Sequence, residues 1–526
     1  MNASGALADG APATPPAARA SLSWRTDAAW LVGISLLALA LRLYKLGAPL
    51  WYDEILTLAR FVRLPLDELL TTYTSLNNHV FFSLQAKLFV SLFGESTSVV
   101  RLPAVILGVL SIVLMFRLVQ REVGVWDARL TAILLAVSYH HIWFSQNARG
   151  YTGLLFWTVL STFAALRALE ARTLKAWLPY ALYVAAAGYT HLSAVMVFMA
   201  HAAVFAALAV GFFPRSAALA QVPKAELRAS GRRALMGLGL GAALTALLHL
   251  PMVPDMLHTY STFSGIHAAP VAVPLSPIAP GAASFGKSPL WTIAEVFRSF
   301  GDLGPLLVCA LPVVGLLVCL GGRDLWRRSP VLFAIYAVQI PGMLLLLTAA
   351  HLRIWPRYFF VDIAFLLLIL VRGVLVLGEW LAARFGFFQK MGLSAQGVGV
   401  AAGFVGVALS LVLLPRNYRL PKQDFAGALE YVQAERKPGD AVGVVGLANV
   451  PYDEFYKPGF ANVRSVGELT QLRSASGATW LIYAFGSHTR SHFPDVMAIA
   501  AREFQQARVL PGTLGDGTVY VLRSDR

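Results

Sequence analysis

Residues 99–118 read VVRLPAVILGVLSIVLMFRL. A predominantly apolar run of about 20 residues, rising about 1.5 Å per residue as a helix, crosses the roughly 30 Å hydrocarbon core of a bilayer. Arg117 and Arg121 then mark its cytoplasmic end. Comparable runs recur at 28–46, 151–169, 234–252, 303–320, 331–349, 358–377 and 398–414, with a shorter one at 128–142 and less distinct ones at 177–189 and 192–213. No soluble core explains so many. The 526-residue chain is 57% apolar and 13% charged, well below the roughly 25% charged of a soluble domain. The expected fold is an α-helical polytopic membrane protein of about 11 transmembrane helices.

The formal charge of +15 does not point to nucleic acid. Lys and Arg cluster in short loops between apolar runs, Arg215, Lys224, Arg228, Arg232 and Arg233 in one and Arg323, Arg327 and Arg328 in another. This is the positive-inside pattern, which orients a protein in its membrane. It puts the N-terminus inside, with residues 1–27 as a disordered cytoplasmic tail, and the C-terminus outside. The localisation implied is multi-pass in the inner (plasma) membrane. Cys309 and Cys319 fall on one predicted span, about 15 Å apart along a helix and too far for a mutual disulfide.

The expected domains are the tail, a transmembrane domain over 28–415 with outer loops at 47–98 and 254–299, and a small extracytoplasmic α/β domain over 416–526. The first outer loop interleaves polar and apolar residues as helices lying in the interface do. The second is rich in Pro, Gly and Ser and reads as a lid over an acceptor site. In the last domain, 424–435 and 498–506 have helical periodicity, 441–445 and 480–484 read as buried strands, and 509–522 reads as a hairpin around Gly515-Asp516-Gly517.

Asp53 and Glu54 follow the first span in Leu50-Trp51-Tyr52-Asp53-Glu54-Ile55. Carboxylates beside a membrane suit a reaction centre, and equally a helix N-terminus. The same outer face receives His79, Arg149 with Tyr151, and Arg353, Arg357 and Tyr358. The orientation rule gives no reason for cations there. Arginine binds phosphate through paired, charge-assisted hydrogen bonds. A carboxylate with several arginines therefore fits cleavage of a lipid-linked phosphate ester. The acid would take a proton from an incoming hydroxyl while the arginines stabilise the departing phosphate. Three other groupings read as structural: Gly237-Leu238-Gly239-Leu240-Gly241 as helix packing through small residues, His191 and Ser193 as polar turn residues, and Tyr452-Asp453-Glu454 as surface. No His/Cys/Asp cluster has metal-ligand spacing.

Taken in order, Leu50-Trp51-Tyr52-Asp53-Glu54, His79, Ser145-Gln146-Asn147-Ala148-Arg149-Gly150-Tyr151 and Pro356-Arg357-Tyr358 resemble the bacterial polyprenyl-phosphate-dependent glycosyltransferases of the GT-C superfamily. Protein O-mannosyltransferases and lipid A aminoarabinose transferases are relatives within it. Pro421-Lys422-Gln423-Asp424-Phe425 resembles the segment that opens the outer domain in such proteins. The resemblance implies an inverting transfer of a hexosyl or pentosyl group from a polyprenyl-phosphate donor to an acceptor hydroxyl of a glycan, lipid or protein, on the extracytoplasmic side.

It implies further that Asp53 is the base and Glu54 its supporting neighbour. Arg149, Arg357, Tyr358 and His79 would bind the donor phosphate, with Tyr151, Arg353 and Gln146 in support. The histidine of the family is usually followed by prolines, where this chain has Val80 and Phe81, and Asn147 stands where an acid is common. No cofactor is required, a divalent metal is permitted but not indicated, and the partners are donor, acceptor and membrane lipids. The rival readings are a transporter or flippase of lipid-linked sugars and a structural protein of the cell envelope.

Overall fold

The apolar runs are helical throughout the computed structural model, which describes residues 24–75, 78–213, 222–263, 305–349, 356–392, 394–475 and 477–525. Most of the N-terminal tail and of the 254–299 loop, the start of the 303–320 run and Arg353 lie outside the described residues. Among those described, six helices are long and apolar enough to cross a membrane: Thr97–Glu122, Tyr151–Ala171, Lys224–Thr259, Pro330–Ala349, Arg357–Arg384 and Ala395–Arg419. The other predicted runs fall on Trp24–Leu43, Val125–Val137, Leu178–Thr190, Ala194–Val210 and Pro305–Arg328.

One predicted span is corrected. Helix formation over 128–142 stops at Val137 and restarts as Tyr139–Ser145, with the Ser138 hydroxyl accepting the His141 N–H at 3.3 Å. A helix end leaves carbonyls without intrahelical partners. Here fully buried Arg42 supplies them, donating to Leu135 O at 3.3 Å and Ala136 O at 3.1 Å while its Nε reaches Ser145 Oγ at 3.1 Å. The break redirects the chain into Gln146–Tyr151, the segment that carries Arg149.

Small residues let the helices touch. A methyl group on Gly373 would stand 2.1 Å from Leu317 O, and one on Gly321 would stand 2.0 Å from Ile369 O. Pro305–Arg328 and Ile363–Arg384 thus cross backbone to backbone. Gly237 and Gly241 pack in the same way on Trp177 and Val184. Gly373→Val is expected to cost about 1–3 kcal/mol through overpacking, read as a lower thermal midpoint in detergent; an unchanged midpoint would remove this crossing as a stabilising contact.

The C-terminal module holds a five-stranded sheet of order β2-β1-β3-β5-β4: β1 (Ala441–Val445), β2 (Ala461–Val463), β3 (Thr479–Ala484), β4 (Gln505–Leu510) and β5 (Val519–Ser524). β1 runs parallel to β2 and β3, and β5 is antiparallel to β3 and β4. The predicted helix over 498–506 is displaced to Pro494–Glu503, because Gln505 and Gln506 pair with Arg523 and Leu522 at the sheet edge. Local periodicity carries no information on that pairing.

This module packs on the 47–98 segment. Leu50, Trp51, Tyr52 and Ile55 share one buried cluster with Phe425, Val432, Val444, Trp480 and Val519. Arg60 of the loop donates from Nε to Glu454 at 2.8 Å. Tyr452 is fully buried and its hydroxyl donates to Phe425 O at 3.0 Å. Of Tyr452-Asp453-Glu454, expected as surface, Asp453 is exposed, Tyr452 is buried and Glu454 makes the docking contact between loop and module.

Candidate active site

Trp51 precedes the short helix Tyr52–Thr57, whose first turn carries both acids. The helix leaves them on different sides. Glu54 has no exposed surface, and Arg101 grips it from two nitrogens, Nε to Oε1 at 2.7 Å and Nη2 to Oε2 at 2.6 Å. The Ala148 N–H adds a bond at 2.7 Å and the Trp51 N–H one at 3.3 Å. Burial alone would raise the Glu54 carboxyl; the Arg101 guanidinium, with Lys422 and these hydrogen bonds, holds it below the usual range. Arg101 completes its fork on the carbonyls of Leu46, Ala48 and Pro49 at 2.7, 2.7 and 3.1 Å. Glu54 is thus a tie between the first loop, the start of Thr97–Glu122 and the Ala148 backbone.

Asp53 turns the other way, where its Oδ2 stands 3.7 Å from Arg357 Nη1, and its side chain keeps 9% of its exposure. Arg149 reaches the same helix, donating to Thr57 Oγ1 at 3.2 Å, while its Nη2 lies 3.0 Å from His79 Nε2. His79 accepts the Gly150 N–H on Nδ1 at 2.7 Å. Burial, then Arg149, His191 and Arg357, push this imidazole well below its ordinary range, so it is neutral. The Tyr151 ring is a wall of the same place, 5.2 Å from the His79 ring and 5.9 Å from the Arg149 guanidinium carbon.

One predicted support stands apart. Gln146 donates to the carbonyls of Arg42 and Tyr44 at 2.9 and 2.7 Å and accepts from Asn417 at 2.9 Å, a purely internal set of bonds. Tyr358, expected at the donor phosphate, packs beside Met196, Met343 and Leu347 and interacts electrostatically with Arg357 and Tyr151. Asn147, in place of an acid, accepts the Trp51 indole N–H at 3.1 Å and so fixes the loop. Among the described residues no three His, Cys, Asp or Glu side chains form a metal-holding group.

Two residues here carry weight that the chain order did not reveal. Arg101, a charge within an apolar run, was the one available signal for a buried partner of Glu54. His191 gave only a polar turn, yet its ring lies 4.2 Å from that of His79. Together the place gathers two guanidiniums, two imidazoles and a phenol around one carboxylate, a lining suited to an anion beside a proton acceptor.

The family described as dolichyl-phosphate-mannose-protein mannosyltransferase matches residues 80–221, the stretch that contains Arg101, Arg149, Tyr151 and His191. The fold is similar to that of ArnT from Cupriavidus metallidurans in the apo state, at 13% identity and a TM-score of 0.51, covering 95% of this chain and 98% of that one. The chain has the GT-C fold. The oligosaccharyltransferase of Archaeoglobus fulgidus tethered with an acceptor peptide is also similar, at 12% identity and TM-score 0.51 over 95% of this chain and 74% of that one. So is AglB from that organism in complex with an inhibitory peptide and a dolichol-phosphate, at 12% and 0.50 with the same coverage. No curated protein matches the sequence. In this GT-C frame the first outer loop, the 146–151 segment and the 356–362 turn meet at one end of the helices.

Proposed function

We propose that the protein is a membrane glycosyltransferase that moves a hexosyl or pentosyl group from a polyprenyl-phosphate donor to an acceptor hydroxyl on the extracytoplasmic side. The observation that carries this reading is the meeting of Asp53 and Arg357 at 3.7 Å beside Arg149 and His79. The matched mannosyltransferase family and the AglB complex with dolichol-phosphate support a lipid-phosphate donor. On this reading the protein lies in the inner membrane, with its N-terminus inside and its outer module, from about residue 416, extracytoplasmic.

In the proposed reaction Asp53 accepts the proton of the acceptor hydroxyl. The acceptor oxygen attacks the anomeric carbon from the face opposite the phosphate, a new C–O bond forms, and the bond to the phosphate oxygen breaks. The electron pair leaves on the polyprenyl phosphate, and the anomeric configuration inverts. Arg149 and Arg357 stabilise the departing phosphate as its charge grows. Glu54, spent on Arg101, positions Asp53 and takes no proton.

Arg357→Ala is expected to raise the donor KM about tenfold or more, the loss of a charge-assisted contact to phosphate, while acceptor KM stays within about twofold. Purified protein with radiolabelled polyprenyl-phosphate sugars measures both. Unchanged donor saturation counts against phosphate binding by Arg357, and failure of the wild type to release label from any such lipid counts against the reaction.

A further inference from the structure

We infer that His191 is a further donor-phosphate contact, its Nε2–H donating to an unesterified phosphate oxygen alongside Arg149. The inference rests on the reading of this place as a lipid-phosphate site and adds to it a residue that the motif order did not include.

His191 lies on the turn joining Leu178–Thr190 to Ala194–Val210. Its Nδ1 accepts the Ser193 N–H at 3.1 Å and lies 2.8 Å from Ser193 Oγ. A backbone N–H can only donate, so Nδ1 is the acceptor and the one proton of a neutral ring sits on Nε2. Among the described residues no hydrogen bond uses that Nε2. Burial first, then Arg149 and Arg357, push the imidazole down to about 3, so it stays neutral across the physiological range.

The turn is held against the arginine segment. The His191 ring centroid lies 4.2 Å from that of His79, with the planes tilted by 54°, and 5.4 Å from that of Tyr151. Gly150 has no side chain because a methyl group there would stand 3.0 Å from both His79 Nδ1 and Thr190 Cγ2. His79 obeys the same rule as His191. Its Nδ1 accepts from Gly150, so its Nε2 bears the proton and meets Arg149 Nη2, another donor, at 3.0 Å. Two donors at that distance repel unless an acceptor serves both, and an oxyanion is such an acceptor. The two adjacent imidazoles therefore carry N–H groups of the same tautomer, that of His79 beside the Arg149 guanidinium. A neutral donor adds a hydrogen bond without adding charge, which holds the phosphate without overbinding the leaving group.

The test is binding of a polyprenyl monophosphate, against the matching polyprenol, to full-length protein in detergent. His191→Phe keeps an aromatic ring and lacks the donor, and is expected to weaken phosphate binding about tenfold with polyprenol binding unchanged. His191→Gln, which returns an N–H near the Nε2 position, is expected to restore it to within about threefold. Equal phosphate affinity for wild type and His191→Phe overturns the inference. So does loss in His191→Gln as large as in His191→Phe, since that pattern is structural. Where His191→Phe does not fold, His191→Asn, too short to place a donor at Nε2, carries the same expectation. If wild-type protein prefers neither lipid, the phosphate reading itself fails; if Arg149→Ala loses phosphate binding while His191→Phe keeps it, only the role of His191 fails.

Discussion

Asp53→Asn lowers turnover by about 10²–10⁴-fold, the usual contribution of a positioned general base, and leaves the thermal midpoint in detergent unchanged. The amide has nearly the same shape and its oxygen can face Arg357 as the carboxylate does at 3.7 Å, so the surroundings are not asked to move. What it lacks is the ability to take the acceptor proton. Donor affinity should therefore hold, since Arg149 stays anchored on Thr57 Oγ1 at 3.2 Å and His79 on the Gly150 N–H at 2.7 Å. Label release from a polyprenyl-phosphate sugar, measured with and without acceptor, reads the effect directly. Normal turnover in this variant would falsify the assignment of Asp53 as base.

Removing the neighbouring carboxylate has a different result. Glu54→Ala leaves Arg101 buried at 3% exposure with no counter-charge, and breaking a buried pair in this way costs about 3–5 kcal/mol. The Ala148 and Trp51 N–H groups lose their acceptor as well, at 2.7 and 3.3 Å in the intact protein. A fall in the thermal midpoint with loss of activity is expected, in contrast to the stable, inactive Asp53→Asn. The double change Glu54→Leu with Arg101→Met should recover part of the stability, because no lone charge stays buried. Recovery is incomplete, since the carbonyls of Leu46, Ala48 and Pro49 lose the Arg101 donors. A Glu54→Ala protein as stable as wild type would show that Glu54 is not the tie described.

These two outcomes separate acids that stand next to each other in the chain. Helical geometry already sends adjacent side chains to different faces, so unequal roles were to be expected. Which face held which partner depended on Arg101, 47 positions from Glu54 in sequence, and on Arg357, far beyond it. Asp53, His79, Arg149 and Arg357, taken in order along the chain, come together in the structure, whereas Gln146 turns inward to the Arg42 and Tyr44 carbonyls. His191 stayed hidden because a turn histidine gains meaning only from the rings beside it.

What the sequence by itself determined is the helical membrane architecture and a small C-terminal α/β module. Spans follow from the length of apolar runs and strands from local patterning, both set by neighbours along the chain and by the cost of burying unpaired backbone in lipid. The break at Ser138, the shift of the 498–506 helix and the division of labour between Asp53 and Glu54 were decided only in the tertiary structure. Each turns on a hydrogen bond or ion pair between residues distant in sequence: Arg42 on Leu135 O, Gln505 opposite Arg523, and Arg101 on Glu54. Polar groups in a dry interior are stable only when paired, and the chain order does not name the partner.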